Sequence, residues 1–121
     1  MIHEKPLDGI IGDFCRRVMP DFKEIRLNLE ELHPEWSKRD FAANLMEFGR
    51  GQISKIDEQK QDDLDFIVKY VDSLKFDNLE SALFSAYAGG CIMGLVQTDQ
   101  LSSSDFVAAL QFSAKFGRDI E

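Results

Sequence analysis

Residues 81–98, "SALFSAYAGGCIMGLVQT", run for eighteen positions without a charge in a chain of which 30% is Asp, Glu, Lys or Arg. Ala82, Ala86, Gly90 and Gly94 fall four apart, so on a helix they share one face and form a low ridge. Leu79, Leu83, Phe84, Tyr87, Ile92, Met93, Leu95 and Val96 surround that ridge with bulk. A helix apolar on every side belongs at the centre of a bundle. A small-residue ridge lets a second backbone come close and favours crossing angles of about −40 to −50°. Three helical glycines cost roughly 2–3 kcal/mol against alanine, which close packing has to offset. The reading is one unbroken helix near residues 78–96, continuous through Gly89 and Gly90. Its length also satisfies the rule for a membrane span. Against that, five of its eighteen residues are Ser, Gln, Thr or Tyr, and Glu80 and Asp99 flank it without clustered Lys or Arg. No membrane span is expected.

Outward from that helix, apolar residues recur at three and four, and no window alternates as a strand would. Leu7, Ile10, Ile11, Phe14 and Val18 make one stripe; Phe22, Ile25, Leu29 and Leu32 make another, with Pro20 expected to separate them. His33 and Pro34 stop the second helix. In "WSKRDF" Ser37 then serves as N-cap, with Asp40 as its reciprocal acceptor and Trp36 against Phe41 as a hydrophobic staple. "LSSSDF" at 101–106 repeats that grammar with Ser102, Asp105, Leu101 and Phe106. Both starts continue alike ("DFAANL", "DFVAAL") and both reach "FGR", where Gly49 and Gly117 suit the left-handed residue past a helix end. The likeness fits either an internal repeat or two helices converging on good cap chemistry. Ser54 and Asp77 are further candidate caps. The expected fold is all-α: a single domain over residues 1–121 with about six helices, near 6–18, 21–32, 38–48, 55–74, 78–96 and 103–116, around the central apolar one.

At 121 residues, with ten Phe to fill a core, the chain can fold without a disulfide or metal staple. Cys15 and Cys91 sit in apolar helical patterns and read as reduced core residues. The opening "MIHEKPLDGIIGDF" carries Glu4, Asp8 and Asp13 and no apolar run, so it does not read as a signal peptide, and a cytoplasmic location is expected. The net charge of −8 argues against phosphate binding through a basic stripe, and hence against nucleic acid as a partner. The acidity is concentrated: residues 57–80 hold eight acids and three bases.

Chemistry finds little purchase. His3 and His33 lack a His, Cys or carboxylate at a metal-ligand offset, so no metal or other cofactor is expected. "DEQKQDDLD" at 57–65 lacks the central glycine and terminal glutamate of a calcium loop, and "GRGQ" at 49–52 follows a helix and not a strand, so it is no phosphate cradle. The hydroxyls of residues 102–104 have no candidate base, and the protein is not expected to be an enzyme.

One surface feature stands out in the helix at 55–74. Leu64, Ile67, Val68, Val71 and Leu74 mark its core stripe, and the opposite side holds Asp62, Asp65, Phe66, Lys69 and Ser73, with Tyr70 and Asp72 at the margins. One account sandwiches the helix between neighbours, buries Phe66 and pairs Asp65 with Lys69. The sharper account is a binding patch of Asp62, Asp65, Phe66, Tyr70 and Asp72, an aromatic anchor ringed by acids that steer a basic protein partner. On it, the expected function is a small acidic inhibitor of the immunity or anti-effector kind, neutralising a basic protein such as a nuclease-like toxin. The alternative is a structural or regulatory subunit that acts as a homo-oligomer such as a homodimer, with acidity serving solubility.

Overall fold

The computed structural model describes residues 7–54 and 61–118. Among them every regular element is helical: α1 (Leu7–Leu32), α2 (Lys38–Ile53), α3 (Gln61–Ser73), α4 (Leu79–Gln97), a 3-10 turn (Ser103–Asp105) and α5 (Phe106–Arg118). The all-α class agrees with the sequence. The count is five α-helices where six were expected, because the first two are one. His3, residues 55–60 at the start of the helix expected at 55–74, and the first part of the acidic run at 57–65 lie outside the described residues.

Pro20 lies inside α1 and does not divide it. Its ring removes one backbone hydrogen bond, at a propensity cost of about 3 kcal/mol against alanine. Two features offset this. Pro20 is exposed, so water can reach the carbonyl it leaves unserved, and the buried residues Ile11, Phe14, Cys15, Val18 and Phe22 keep helical spacing straight across it. A stripe that continues in register on both sides of a proline holds the helix together through packing.

Every residue of α4 from Ser81 to Gly94 is buried. By length and composition α4 could cross a membrane, and 78% of its apolar window lies inside the fold. α2 crosses it on the small ridge. A Cβ built on Gly90 would overlap the carbonyl of Met46, and one on Gly94 would stand 2.7 Å from Cβ of Ile53. α2 answers with its own glycine, since a Cβ on Gly49 would overlap the carbonyl of Tyr87. α2 and α4 therefore pass with their numbering rising together, Met46 at Gly90 and Ile53 at Gly94. Gly89 faces the other way, toward the Tyr70 ring of α3 and Leu110 of α5.

α5 runs against α4 in the opposite sense, with Leu110 at Gly89 and Gly117 near the carbonyl of Ser81. α1 does likewise: Phe22 packs edge-on to Phe84, with ring centroids 5.2 Å apart, and the guanidinium of Arg26 pairs with Glu80 at 2.7 Å.

Gly49 and Gly117 are thus not helix-ending residues. Both are helical, and no described glycine has positive φ; each is small because a backbone lies against it. α2 runs on to Ile53 and is closed by Ser54, whose N–H donates to the carbonyl of Arg50 at 2.8 Å. Ser37 caps α2 as expected, accepting from the N–H of Asp40 at 3.1 Å, with Trp36 edge-on to Phe41. At the matching start, the Ser102 hydroxyl donates to the Asp105 carboxylate at 3.0 Å instead of capping a backbone N–H, and a 3-10 turn precedes α5. The cap of α4 is Asn78, one residue beyond the expected Asp77, its side chain accepting from the N–H of Ser81.

Candidate protein-binding face on the third helix

α3 is the least buried helix, with only Ile67 and Val71 fully inside. A polar chain seats its first turn. Arg50, 4% exposed, donates from Nη2 to Glu47 Oε1 at 2.6 Å and from Nη1 to Gln97 Oε1 at 3.3 Å. Gln97 Nε2 donates in turn to Asp63 Oδ2 at 3.1 Å, so α2, α4 and α3 are joined through four side chains. A buried guanidinium is tolerable only when its donors are answered, as here. Sequence reading missed this network. The signal was Arg50 standing one helical turn after Met46, on the same buried face.

The two aromatics of the expected patch point inward. Phe66 stacks on Tyr70, centroids 6.0 Å apart, and tilts against Phe106 at 5.1 Å. Tyr70 lies over Gly89, and its hydroxyl is 3.5 Å from the carbonyl of Ser85. Burial pushes that phenol up to about 12, so it stays protonated at neutral pH. Phe66 and Tyr70 therefore join α3 to α4 and α5 and are half-buried, the packing expected where Phe66 is sandwiched between neighbours.

The expected core stripe is corrected to match. Leu64 and Val68 stand 42% and 57% exposed, while Phe66, Tyr70 and Leu74 are half-buried beside Ile67 and Val71. The helix is turned so that its rings face the core, with the Tyr70 ring lying against Gly89, where a Cβ would stand 3.0 Å from it.

The carboxylates of the patch stay outside. Asp62 and Asp65 are exposed, and Asp65 accepts from Gln61 Nε2 at 2.9 Å where a pair with Lys69 was expected. Asp72 forms an ion pair with Arg39 of α2. Leu64 and Val68 are four residues apart, so they form a short aliphatic strip with Asp65 and Asp72 at its sides. Val68 also lines a cleft of about 320 Å³ between α2 and α3, together with Ser37, Arg39, Asp40, Ala43 and Asp72.

Comparison with known protein families, with curated proteins and with solved structures finds no match.

Elsewhere the chemistry is quiet. Cys15 and Cys91 are buried free thiols, each pushed up to about 12 chiefly by desolvation, which keeps them from acting as thiolates. His33 stacks flat on Trp36 at 3.9 Å, with Nδ1 3.1 Å from Glu35. Among the described residues no three His, Cys, Asp or Glu side chains converge as metal ligands would.

Proposed function

We propose that this chain is a small, acidic, non-catalytic module that binds a basic protein, in the manner of immunity or anti-effector inhibitors that cover a nuclease-like toxin. The observation that carries the reading is the strip of Leu64 and Val68, exposed one turn apart on a helix whose other outward residues include Asp62, Asp65 and Asp72. Aliphatic groups left in water beside carboxylates suit a partner that brings an apolar contact ringed by Lys and Arg. The acids would speed encounter, and the aliphatics would hold the complex once water is expelled. The anchor of the patch moves from Phe66 and Tyr70 to Leu64 and Val68. A cytoplasmic location, where Cys15 and Cys91 stay reduced, belongs to the same proposal.

The test is binding to purified basic nucleases, measured by surface-based kinetics at about 50 and about 300 mM salt. Association that slows several-fold with salt and is lost in a variant combining L64S, V68S, D62N and D65N supports the reading. Binding to no such partner at low salt, or indifference to the combined variant, ends it. The same aliphatic strip favours a second reading, self-association into a homodimer. Light scattering separates the two: a monomer at tens of micromolar leaves the strip free for another protein, and a dimer dispersed by V68S assigns it to a second copy.

A further inference from the structure

The chain has two cysteines, both free, and the packing of α1 on α4 sets them face to face. The two helices run in opposite senses, and three contacts fix their register. Arg26 pairs with Glu80 at 2.7 Å, the rings of Phe22 and Phe84 meet with centroids 5.2 Å apart, and Ile11 and Leu95 line one cleft. Cys15 lies four residues after Ile11 and seven before Phe22; Cys91 lies four before Leu95 and seven after Phe84. Steps of four and seven return to the same face of a helix. Each thiol therefore sits on the stripe that its helix turns toward the other, and at the matching level.

The seam around them is dry. Cys15 is 0% and Cys91 1% exposed, and α2 closes the space beside Cys91, since a Cβ built on Gly49 would stand 3.2 Å from its Sγ. Beyond the effect of burial, the charge of an ionised Cys15 raises the Cys91 thiol further, which agrees with the register in bringing the two sulfurs together. Two thiols held opposite each other differ in one chemical respect from two isolated core cysteines. Once one is oxidised, the other is in place to attack it.

We propose that Cys15 and Cys91 form a redox-sensitive latch, closing into a disulfide that ties α1 to α4 when the protein meets hydrogen peroxide. In the first step one thiolate attacks a peroxide oxygen, the O–O bond breaks, and the cysteine becomes a sulfenic acid while hydroxide leaves. In the second step the other thiolate attacks the sulfenic sulfur, the S–S bond forms, and a second hydroxide leaves. The two hydroxides take up the two thiol protons, so two thiols and one peroxide give one disulfide and two waters. Desolvation keeps both thiols protonated in the closed fold, so the first step takes place as α1 opens from α4 and the second as it closes. Oxidation is therefore slow. The finished bond encloses a long loop that contains α2 and α3, and constraining that loop in the unfolded chain stabilises the fold. The latch does not involve the Leu64 and Val68 strip and stands or falls separately.

The test is prolonged exposure of the folded full chain to hydrogen peroxide, followed by alkylation of remaining thiols in denaturant and mass spectrometry. The expected product is a monomer that has lost two hydrogens, takes up no alkylating agent and yields one cross-linked fragment joining Cys15 to Cys91. Its melting temperature should rise by about 5 °C or more, and dithiothreitol should return both the thiols and the original melting temperature. C15A and C91A should each abolish the internal cross-link and the rise in melting temperature. Thiols that stay reduced in the folded chain overturn the proposal, as do separate sulfinic or sulfonic acids at the two positions, chains joined to each other, or a cross-link that forms only in urea. A cross-linked monomer that melts below the reduced protein overturns it too, because the bond would then be strained and not a latch.

Discussion

Gly90 lies directly against the carbonyl of Met46, with no room for a methyl group between the two backbones. Helix propensity alone favours alanine there by about 1 kcal/mol, but a Cβ would have to push main chain against main chain at the crossing of α2 and α4. G90A is therefore expected to destabilise the protein by about 3 kcal/mol, at the upper end for overpacking. Gly51, also helical, has nothing within 4 Å of a built Cβ, so G51A should stabilise by about 0.5–1 kcal/mol. Urea denaturation of both variants checks the pair; the same sign for both would contradict the crossing.

Pro20 costs α1 a hydrogen bond on an exposed face while the buried stripe runs past it. P20A should raise stability by about 2 kcal/mol, after about 1 kcal/mol is surrendered to the freer unfolded chain. A lower melting temperature in P20A would mean that α1 is two helices after all.

The rings of Phe66 and Tyr70 make a different prediction from the aliphatics beside them. F66A should cost about 2–3 kcal/mol, because it opens the contact with Phe106 and Tyr70. L64S and V68S, on the outer strip, should each stay within about 1 kcal/mol of the parent. Y70F should be nearly neutral, since the Tyr70 hydroxyl makes only a 3.5 Å contact. Should V68S prove as damaging as F66A in thermal melts, α3 would be turned the other way.

Alkaline pH should unfold the protein early. Cys15 and Cys91 are raised from 9.0 to about 12, and Tyr70 from 10.0 to about 12, all chiefly by burial. A group raised on folding keeps its full contribution below its unfolded value and loses it as pH climbs toward the folded one. Stability should therefore hold up to about pH 9 and fall steadily between about 9 and 12, which pH-dependent urea titration reads directly. Over the same range a thiol reagent should label the native protein slowly and the urea-unfolded chain at once. Rapid labelling of the native state would contradict the burial of both cysteines.

Much of the architecture was legible because it depends on local spacing. The uncharged run and its four-residue ridge located α4, and Ser37 with Trp36 and Phe41 located the start of α2. What failed were positions where one residue type serves two purposes. Glycine suits both a helix end and a close crossing, so Gly49 and Gly117 carried no mark of which; only the carbonyls of Tyr87 and Ser81 on another helix decide. Proline as a breaker is a local rule, and at Pro20 a tertiary stripe overrode it. On α3 two apolar faces overlap, one through Leu64 and Val68 and one through Phe66 and Tyr70. The second faces the core, with Tyr70 against Gly89 and Phe66 against Phe106, both distant in sequence. The candidate face divides along the same line, with Asp62, Asp65 and Asp72 exposed and the rings of Phe66 and Tyr70 half-buried.

Hydrogen exchange at single-residue resolution on the intact chain tests the central claim, that α4 is the interior element around which the other helices pack. Amides from Ala82 to Gly94 should exchange only through global unfolding, orders of magnitude more slowly than those of α3 near Asp62 and Asp65. Exchange of the α4 amides as fast as those of α3 would contradict the buried axis and, with it, the placement of every surface residue discussed above.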